Sequence, residues 1–165
     1  MTALPPAFRD IPIAHRGLHD RAAGRIENSL AAVRAAAGRG YGVELDLRLS
    51  ADGVAVVFHD DLQTIPLTGS DERIPTLAAV LAEIAGRVPL LLEIKDRNGA
   101  LGEDVGPLEA AVAGAIAGYA GPLAVMSFNP HSVGEMARHA PGIPRGLVTD
   151  PFLAADWPDV PPDRR

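Results

Sequence analysis

Two histidines stand where predicted β-strands end. His15 precedes Arg16 at the end of one short apolar run, and His59 precedes Asp60 at the end of another. Because imidazole titrates near neutral pH, two histidines in such positions favour general acid and general base roles. Zinc ligation and ordinary hydrogen-bonded core histidines are the alternatives. The pair is therefore a candidate for proton transfer at one end of a sheet.

Three carboxylates lie within two other predicted strands. Glu44 and Asp46 alternate with apolar residues along one strand, so their side chains lie on the same face. Glu93 shares a face of a second strand with Lys95. Three carboxylates suit a hard divalent cation such as Mg²⁺ or Ca²⁺, which prefers oxygen ligands. The alternatives are a solvated face of an edge strand for the first pair and a surface ion pair for the second.

Positive charge accompanies these candidates at Arg16 and Lys95. Carboxylates on an inward face of a buried strand require a cation or hydrogen bonds to offset their desolvation. Guanidinium and ammonium groups also bind anionic ligands. We therefore expect the two cations to face an anionic substrate.

The elements that position these residues alternate between short apolar runs and longer segments of helical periodicity. The predicted helices are Glu27–Arg39, which begins at Asn28 or Glu27, Thr76–Ala85, Pro107–Tyr119 and His131–His139. The predicted strands are Ile11–His15, Gly42–Leu49, Val54–His59, Pro89–Lys95, Leu123–Phe128 and Arg145–Thr149. This alternation indicates an α/β fold with a mainly parallel sheet. By number alone, six strands favour an open doubly wound sheet over a barrel, which needs eight strands and about 250 residues.

Composition excludes several classes of protein. The 165 residues carry a formal net charge of −6, whereas a general nucleic-acid binder normally presents a basic face. The chain has no cysteine, which excludes disulfides, thiolate metal sites and a cysteine nucleophile. It also has no glycine-rich nucleotide-binding motif and no Gly-x-Ser-x-Gly elbow. Nucleotide cofactors and acyl-serine chemistry therefore have no support.

The hydropathy pattern predicts a cytoplasmic protein. The first residues show no basic segment followed by an apolar run, so we expect no signal peptide. No window reaches the roughly 18 apolar residues of a membrane-spanning helix. We therefore expect no integral membrane segment.

The order of short motifs along the chain resembles the glycerophosphodiester phosphodiesterase family. The resemblance extends from Ile13 to Thr149, and six motifs in the family's order carry it. They are HRG at 15–17, EN at 27–28, ELD at 44–46, DGVAVVFHD at 52–60, EIK at 93–95 and SF at 127–128. The resemblance implies a TIM-type (β/α) barrel with a divalent metal at its mouth. With about six of the eight strands, we expect this barrel to be incomplete.

The resemblance also implies roles for individual residues. His15 and His59 would be the acid–base pair of a phosphodiester hydrolase that forms glycerol phosphate and an alcohol. The remaining roles are metal binding by Glu44, Asp46 and Glu93, phosphate binding by Arg16 and Lys95, and support of the site by Glu27 and Asn28. Mg²⁺ or Ca²⁺ would be the cofactor, and a small-molecule phosphodiester substrate would be the partner. The reaction would belong to glycerol and lipid metabolism.

Two departures from the family pattern leave alternatives open. The segment Leu62–Pro75 is short where the family often has an insertion that binds glycerol. The chain also ends after the sixth predicted strand, so we expect one C-terminally truncated barrel domain over 1–155 and a proline-rich tail over 156–165. The alternatives are a catalytically impaired module that binds phosphate and metal, or a phospholipase-D-like lyase.

Overall fold

A computed structural model describes residues 2–60 and 74–164 and shows alternating strands and helices. The strands are β1 (Ile13–Ala14), β2 (Gly42–Leu49), β3 (Ala55–Val57), β4 (Leu90–Ile94), β5 (Leu123–Ser127) and β6 (Arg145–Leu147). The helices are α1 (Ala7–Asp10), α2 (Leu30–Gly38), α3 (Leu77–Ile84), α4 (Leu108–Ile116) and α5 (Pro130–His139). Every predicted strand and helix is present, most of them shorter than predicted.

Five strands form a parallel sheet in the order β1-β2-β4-β5-β6. The sixth strand, β3, pairs antiparallel with β2 and lies off this path. The connection between β2 and β3 is a short turn in which Ser50 N donates to Val54 O at 2.9 Å. Such a turn can join only antiparallel neighbours, because a parallel crossover needs about a dozen residues. The expected α/β fold with a mainly parallel sheet is confirmed, and the six described strands do not form a closed sheet.

Side-chain caps fix where three of the helices begin. Ser29 Oγ accepts from Ala32 N at 3.2 Å, and Thr76 Oγ1 accepts from Ala79 N at 3.1 Å. Asn129 caps α5 in the same way. The prediction that α2 begins at Asn28 or Glu27 is wrong. Asn28 has a left-handed backbone with φ of 59°, which a helix cannot include, so the cap falls on the next residue.

The core lies between the sheet and its helices. Val43, Leu45 and Leu47 from β2 are fully buried in one apolar cluster with Val33 of α2 and Val80 of α3. Since side chains of a strand alternate between faces, this arrangement turns Glu44 and Asp46 to the opposite face of β2. That face is also buried, at 4% and 0% exposure. β2 therefore buries apolar residues on one side and carboxylates on the other.

Two short elements have no periodic signal in the sequence and were not predicted. They are α1 and a one-turn 3-10 helix at Arg21–Ala23 that Asp20 caps. The proline-rich tail forms a 3-10 turn at Pro162–Arg164, and Val160 within it is fully buried. This part of the tail thus packs against the body of the protein.

Most of the short segment Leu62–Pro75 lies outside the described residues, which resume at residue 74. Within the described ranges, no helix is both long enough and apolar enough to cross a membrane.

Candidate active site

The three predicted metal-binding carboxylates meet on neighbouring strands. The parallel register places Asp46 of β2 beside Glu93 of β4, with Glu44 two residues earlier on the same face as Asp46. One carboxylate oxygen from each of the three lies within 4.8 Å of the others. All three side chains are buried. The sequence prediction that they converge on one point agrees with this geometry.

Two cations balance part of this negative charge. Lys95 Nζ lies 2.8 Å from Asp46 Oδ1 and 2.6 Å from Glu93 Oε1. Arg16 Nε lies 3.0 Å from Asp46 Oδ2. These contacts offset the desolvation that a cluster of buried carboxylates otherwise suffers. In this structure both cations face the carboxylates from within the site.

The turn after β1 brings Arg16 into the site through a left-handed backbone with φ of 55°. Its backbone N–H donates to Glu44 Oε2 at 3.0 Å, so the main chain and the side chain of Arg16 bind different carboxylates. Glu27 Oε1 accepts from Arg16 Nη1 at 3.0 Å and orients the guanidinium. Asn28 N donates to Arg16 O at 2.9 Å, which joins the Glu-Asn pair to the same turn.

Asn28 is a fully enclosed partner of Asp46. Its side chain is 1% exposed, and its Nδ2 donates to Asp46 Oδ2 at 2.8 Å. A residue with positive φ is unusual unless it is glycine or asparagine, and asparagine tolerates this region best among residues with a side chain. Glu27 and Asn28 therefore take supporting positions around Arg16 and Asp46.

Both candidate histidines are open to solvent, and His15 contacts the carboxylate cluster. His15 Nε2 lies 3.8 Å from Glu44 Oε2, and 70% of the His15 side chain is exposed. His59 follows β3, where Phe58 N donates to Asp46 O at 3.0 Å. The imidazole of His59 is 37% exposed, and its Nδ1 lies 3.1 Å from Asp60 Oδ1. The side chain of His15 thus contacts the cluster, whereas His59 is linked to β2 through the backbone of the preceding residue, Phe58.

The surroundings of Glu44 and Asp46 shift the pKa values of these two carboxyls in opposite directions. Burial raises the pKa of Glu44 to about 7, and the negative charges of Asp46 and Glu93 act in the same direction. Burial acts to raise the pKa of Asp46 as well. Hydrogen bonds from Lys95 and Asn28, together with the charges of Lys95 and Arg16, outweigh burial and hold the pKa of Asp46 below its ordinary value. Asp46 is thus the carboxylate kept ionised by its neighbours.

The donor set fits a hard divalent cation. Glu44 Oε1 is buried and has no hydrogen-bond partner among the described residues, although a buried polar oxygen normally has one. Three carboxylates on two rigid strands offer oxygen ligands of the kind that Mg²⁺ and Ca²⁺ take. A cation bound there would satisfy Glu44 Oε1 and offset the mutual repulsion of the three groups.

Hydrogen bonds beside the site link Arg48, Asp96 and Asn129, and none of these three is among the predicted site residues. Arg48 shares the face of β2 that carries Glu44 and Asp46, and its Nη1 donates to Asp96 O at 2.8 Å. Asp96 Oδ1 accepts from Asn129 Nδ2 at 2.6 Å. The signal available in the sequence is a polar residue just past the ends of β4 and β5, followed by a proline in the case of Asn129.

The comparisons with known proteins agree on one family. The model of the Glycerophosphoryl diester phosphodiesterase family matches residues 15–65 of this chain. Glycerophosphodiester phosphodiesterase 1 of Bos taurus is 52% identical over 62 residues, which are 36% of this chain and 18% of the bovine protein. YhdW of Bacillus subtilis (strain 168), a provisionally named glycerophosphodiester phosphodiesterase, is 31% identical over 167 residues. That match covers 84% of this chain and 65% of YhdW. The chain thus spans less than two thirds of either relative.

Solved structures extend the agreement to nearly the whole chain. A phosphodiesterase of Oleispira antarctica, in complex with its product sn-glycerol-3-phosphate, superposes with a TM-score of 0.72 and 28% identity. The superposition covers 93% of this chain and 72% of that one. The fold is therefore an incomplete barrel of TIM type, as the motif resemblance implied. The chain is thus similar, over most of its length, to members of the glycerophosphodiester phosphodiesterase family.

Proposed function

We propose that the chain hydrolyses a glycerophosphodiester, or a similar small phosphodiester, to glycerol phosphate and an alcohol with a divalent cation. One observation carries this proposal: a buried carboxylate triad lies beside the exposed imidazole of His15 in a chain that is similar to this family. The product bound to the Oleispira relative, sn-glycerol-3-phosphate, supports the same class of substrate.

Glu44, Asp46 and Glu93 are the residues that would hold the cation, because their oxygens meet at one buried point. A divalent cation, Mg²⁺ or Ca²⁺, would stabilise the negative charge that develops on the phosphoryl oxygens. Arg16 and Lys95 supply further positive charge at the same end of the sheet. We assign them to the phosphate, for which guanidinium and ammonium groups are suited.

His15 and His59 would divide the proton transfers between them. One imidazole accepts the proton of the attacking hydroxyl, and the other protonates the oxygen that leaves when its P–O bond breaks. The attacking group is either a water molecule or a hydroxyl of the substrate glycerol. Attack by the glycerol hydroxyl would form a cyclic phosphate first. The side chains of His15 and His59 are 70% and 37% exposed, which supports contact with a substrate arriving from solvent.

The test is hydrolysis of glycerophosphocholine with Mg²⁺ or Ca²⁺, with EDTA as the metal-free control. We expect turnover only with the cation and a loss of at least about a hundredfold in His15→Ala and His59→Ala. His139→Ala is the matched control, since His139 is exposed on α5 and pairs with Glu135. Turnover that survives both EDTA and His15→Ala would contradict the proposal.

A second candidate is a module that binds phosphate and metal without efficient turnover. The open sheet favours it, because β1 and β6 are the two ends of the described parallel path and do not pair with each other. Catalytic groups must be held within hydrogen-bond reach of the reacting atoms. Calorimetric binding of glycerol phosphate and metal without turnover would support this candidate over the enzyme.

Product analysis separates the hydrolase from the lyase alternative. A phospholipase-D-like lyase would convert a lysolipid or sphingolipid to a cyclic phosphate that accumulates. Phosphorus NMR distinguishes that cyclic product from the acyclic glycerol phosphate of hydrolysis.

A further inference from the structure

Arg48 joins two chain segments that lie on opposite sides of β2. Its Nε donates to the carbonyl oxygen of His59 at 3.2 Å, and its Nη1 donates to the carbonyl oxygen of Asp96 at 2.8 Å. Arg48 lies two residues beyond Asp46 and shares its face of β2. One guanidinium therefore links the segment after β3 to the segment after β4.

Beyond Val57, the segment that carries His59 has little other anchorage among the described residues. The ladder between β2 and β3 ends at the pair Leu47 and Val57, and one more bond joins Phe58 N to Asp46 O. The side-chain contact of His59 is with the adjacent Asp60, which is exposed and cannot fix the position of the backbone. Among the described residues, the bond from Arg48 Nε thus holds the His59 peptide against the sheet.

The other end of this link is firmly held. Asp96 Oδ1 accepts from Asn129 Nδ2 at 2.6 Å, and Asp96 Oδ2 accepts from Leu101 N at 3.1 Å. Asn129 is fully buried, and its own N–H donates to Ser127 Oγ at the end of β5. The Asp96 peptide is therefore a rigid reference point, and Arg48 transmits its position to His59.

We propose that Arg48 is a positioning residue that sets the place of the His59 imidazole for proton transfer. The inference rests on the proposed function, in which His59 moves a proton. Arginine suits this position because its planar fork presents two N–H donors in fixed directions, whereas a lysine ammonium is a single point charge. A displacement of about 1 Å at a catalytic group can lower a rate by about a hundredfold.

The kinetic test compares Arg48→Met, Arg48→Lys and Arg87→Met on glycerophosphocholine. We expect Arg48→Met to lower kcat by about ten- to a hundredfold with KM changed less than about threefold, and Arg48→Lys to recover part of the loss. Arg87 is the matched control, because it also donates to two backbone carbonyls, those of Ile84 and Glu83. It precedes β4 and therefore lies at the opposite end of the parallel strands from the site. We expect Arg87→Met to keep the original kcat.

A double-variant cycle separates positioning from general support of the fold. If Arg48 acts through His59, adding Arg48→Met to His59→Ala lowers the residual rate no further. If Arg48→Met lowers the rate by the same factor with and without His59, the positioning role is overturned.

Hydrogen exchange tests the link without any need for activity. We expect Arg48→Met to increase deuterium uptake in the peptide covering 55–60, and Arg87→Met to leave that uptake unchanged. Unchanged uptake in Arg48→Met would overturn the inference whatever the rates. A wild-type chain that does not hydrolyse the substrate, or a fully active His59→Ala variant, would instead contradict the proposed function.

Discussion

Asn28 and Asp46 exchange two hydrogen bonds across the floor of the site. Asn28 Nδ2 donates to Asp46 Oδ2 at 2.8 Å, and Asp46 N donates to Asn28 Oδ1 at 3.2 Å. The amide of Asn28 thus fixes both the carboxylate of Asp46 and the backbone of β2 that carries it. Since both residues are almost completely enclosed, water cannot replace either bond without a rearrangement.

Replacing Asn28 should therefore be costly. We expect Asn28→Ala to lower the free energy of unfolding by about 2–4 kcal/mol, because it leaves buried groups of Asp46 unpaired and places alanine at positive φ. Urea unfolding measures the difference. Asn98→Ala is the control, since Asn98 is exposed and accepts a local bond from Ala100 N, and we expect it to cost less than about 1 kcal/mol. Equal losses in the two variants would contradict the importance of this pair.

The tight approach of the first turn to α2 gives a second prediction, at Gly17. Gly17 has φ of 76°, and an added Cβ would lie 2.9 Å from the backbone of Ala32. Gly24 has a similar φ of 71° but open space around it. We expect Gly17→Ala to lower the free energy of unfolding by about 2–4 kcal/mol and Gly24→Ala by about 1 kcal/mol. If the two variants are equally stable, the contact with Ala32 does not matter.

The raised pKa of Glu44 makes the stability of the metal-free protein depend on pH. Because burial raises the pKa from 4.5 to about 7, folded Glu44 keeps its proton over a range where unfolded Glu44 has lost it. The contribution of Glu44 is thus fully present below about pH 4.5 and is lost as pH rises through about 7. A shift of this size corresponds to a loss of roughly 3 kcal/mol.

Unfolding in EDTA at about pH 5 and about pH 8 measures this effect. We expect the wild-type chain to lose stability over this range relative to Glu44→Gln, which cannot titrate. Glu103→Gln is the control, because Glu103 is an exposed carboxylate and should leave the wild-type pH dependence in place. An identical pH dependence in wild type and Glu44→Gln would show that Glu44 titrates normally.

Divalent cations should stabilise the folded chain through the same carboxylates. A ligand that binds only the folded state adds about 2.7 kcal/mol at a hundredfold excess over Kd. We expect millimolar Mg²⁺ or Ca²⁺ to raise the melting temperature at neutral pH and to raise it less near pH 5, where protons compete for Glu44. The double change Glu44→Gln with Asp46→Asn should abolish the response. K⁺ at equal ionic strength is the control for screening.

A melting temperature that does not respond to either cation in the wild-type chain would remove the metal site from the proposed function. A response that persists in the double variant would place the cation elsewhere.

Local patterns in the sequence predict much of this arrangement. Strict alternation in Gly42–Leu49 puts Glu44 and Asp46 on one face, and Asp52-Gly53 is a sequence signal for a turn between β2 and β3. Thr76 predicts the start of α3 because a hydroxyl before an apolar helical segment caps its amides. These features follow from neighbours within a few residues, so a single sequence is enough to recognise them.

The tertiary structure alone decides how the candidates meet. Register between β2 and β4 sets Asp46 beside Glu93, and Lys95 then reaches both, although nothing local to either strand specifies that pairing. The left-handed turn at Arg16 and the two bonds between Asn28 and Asp46 likewise depend on contacts between segments distant in the chain. Residue types and periodicity determine which faces are apolar and where elements can end. The distances among charged groups depend instead on how the packed elements fit together, which no short window of sequence contains.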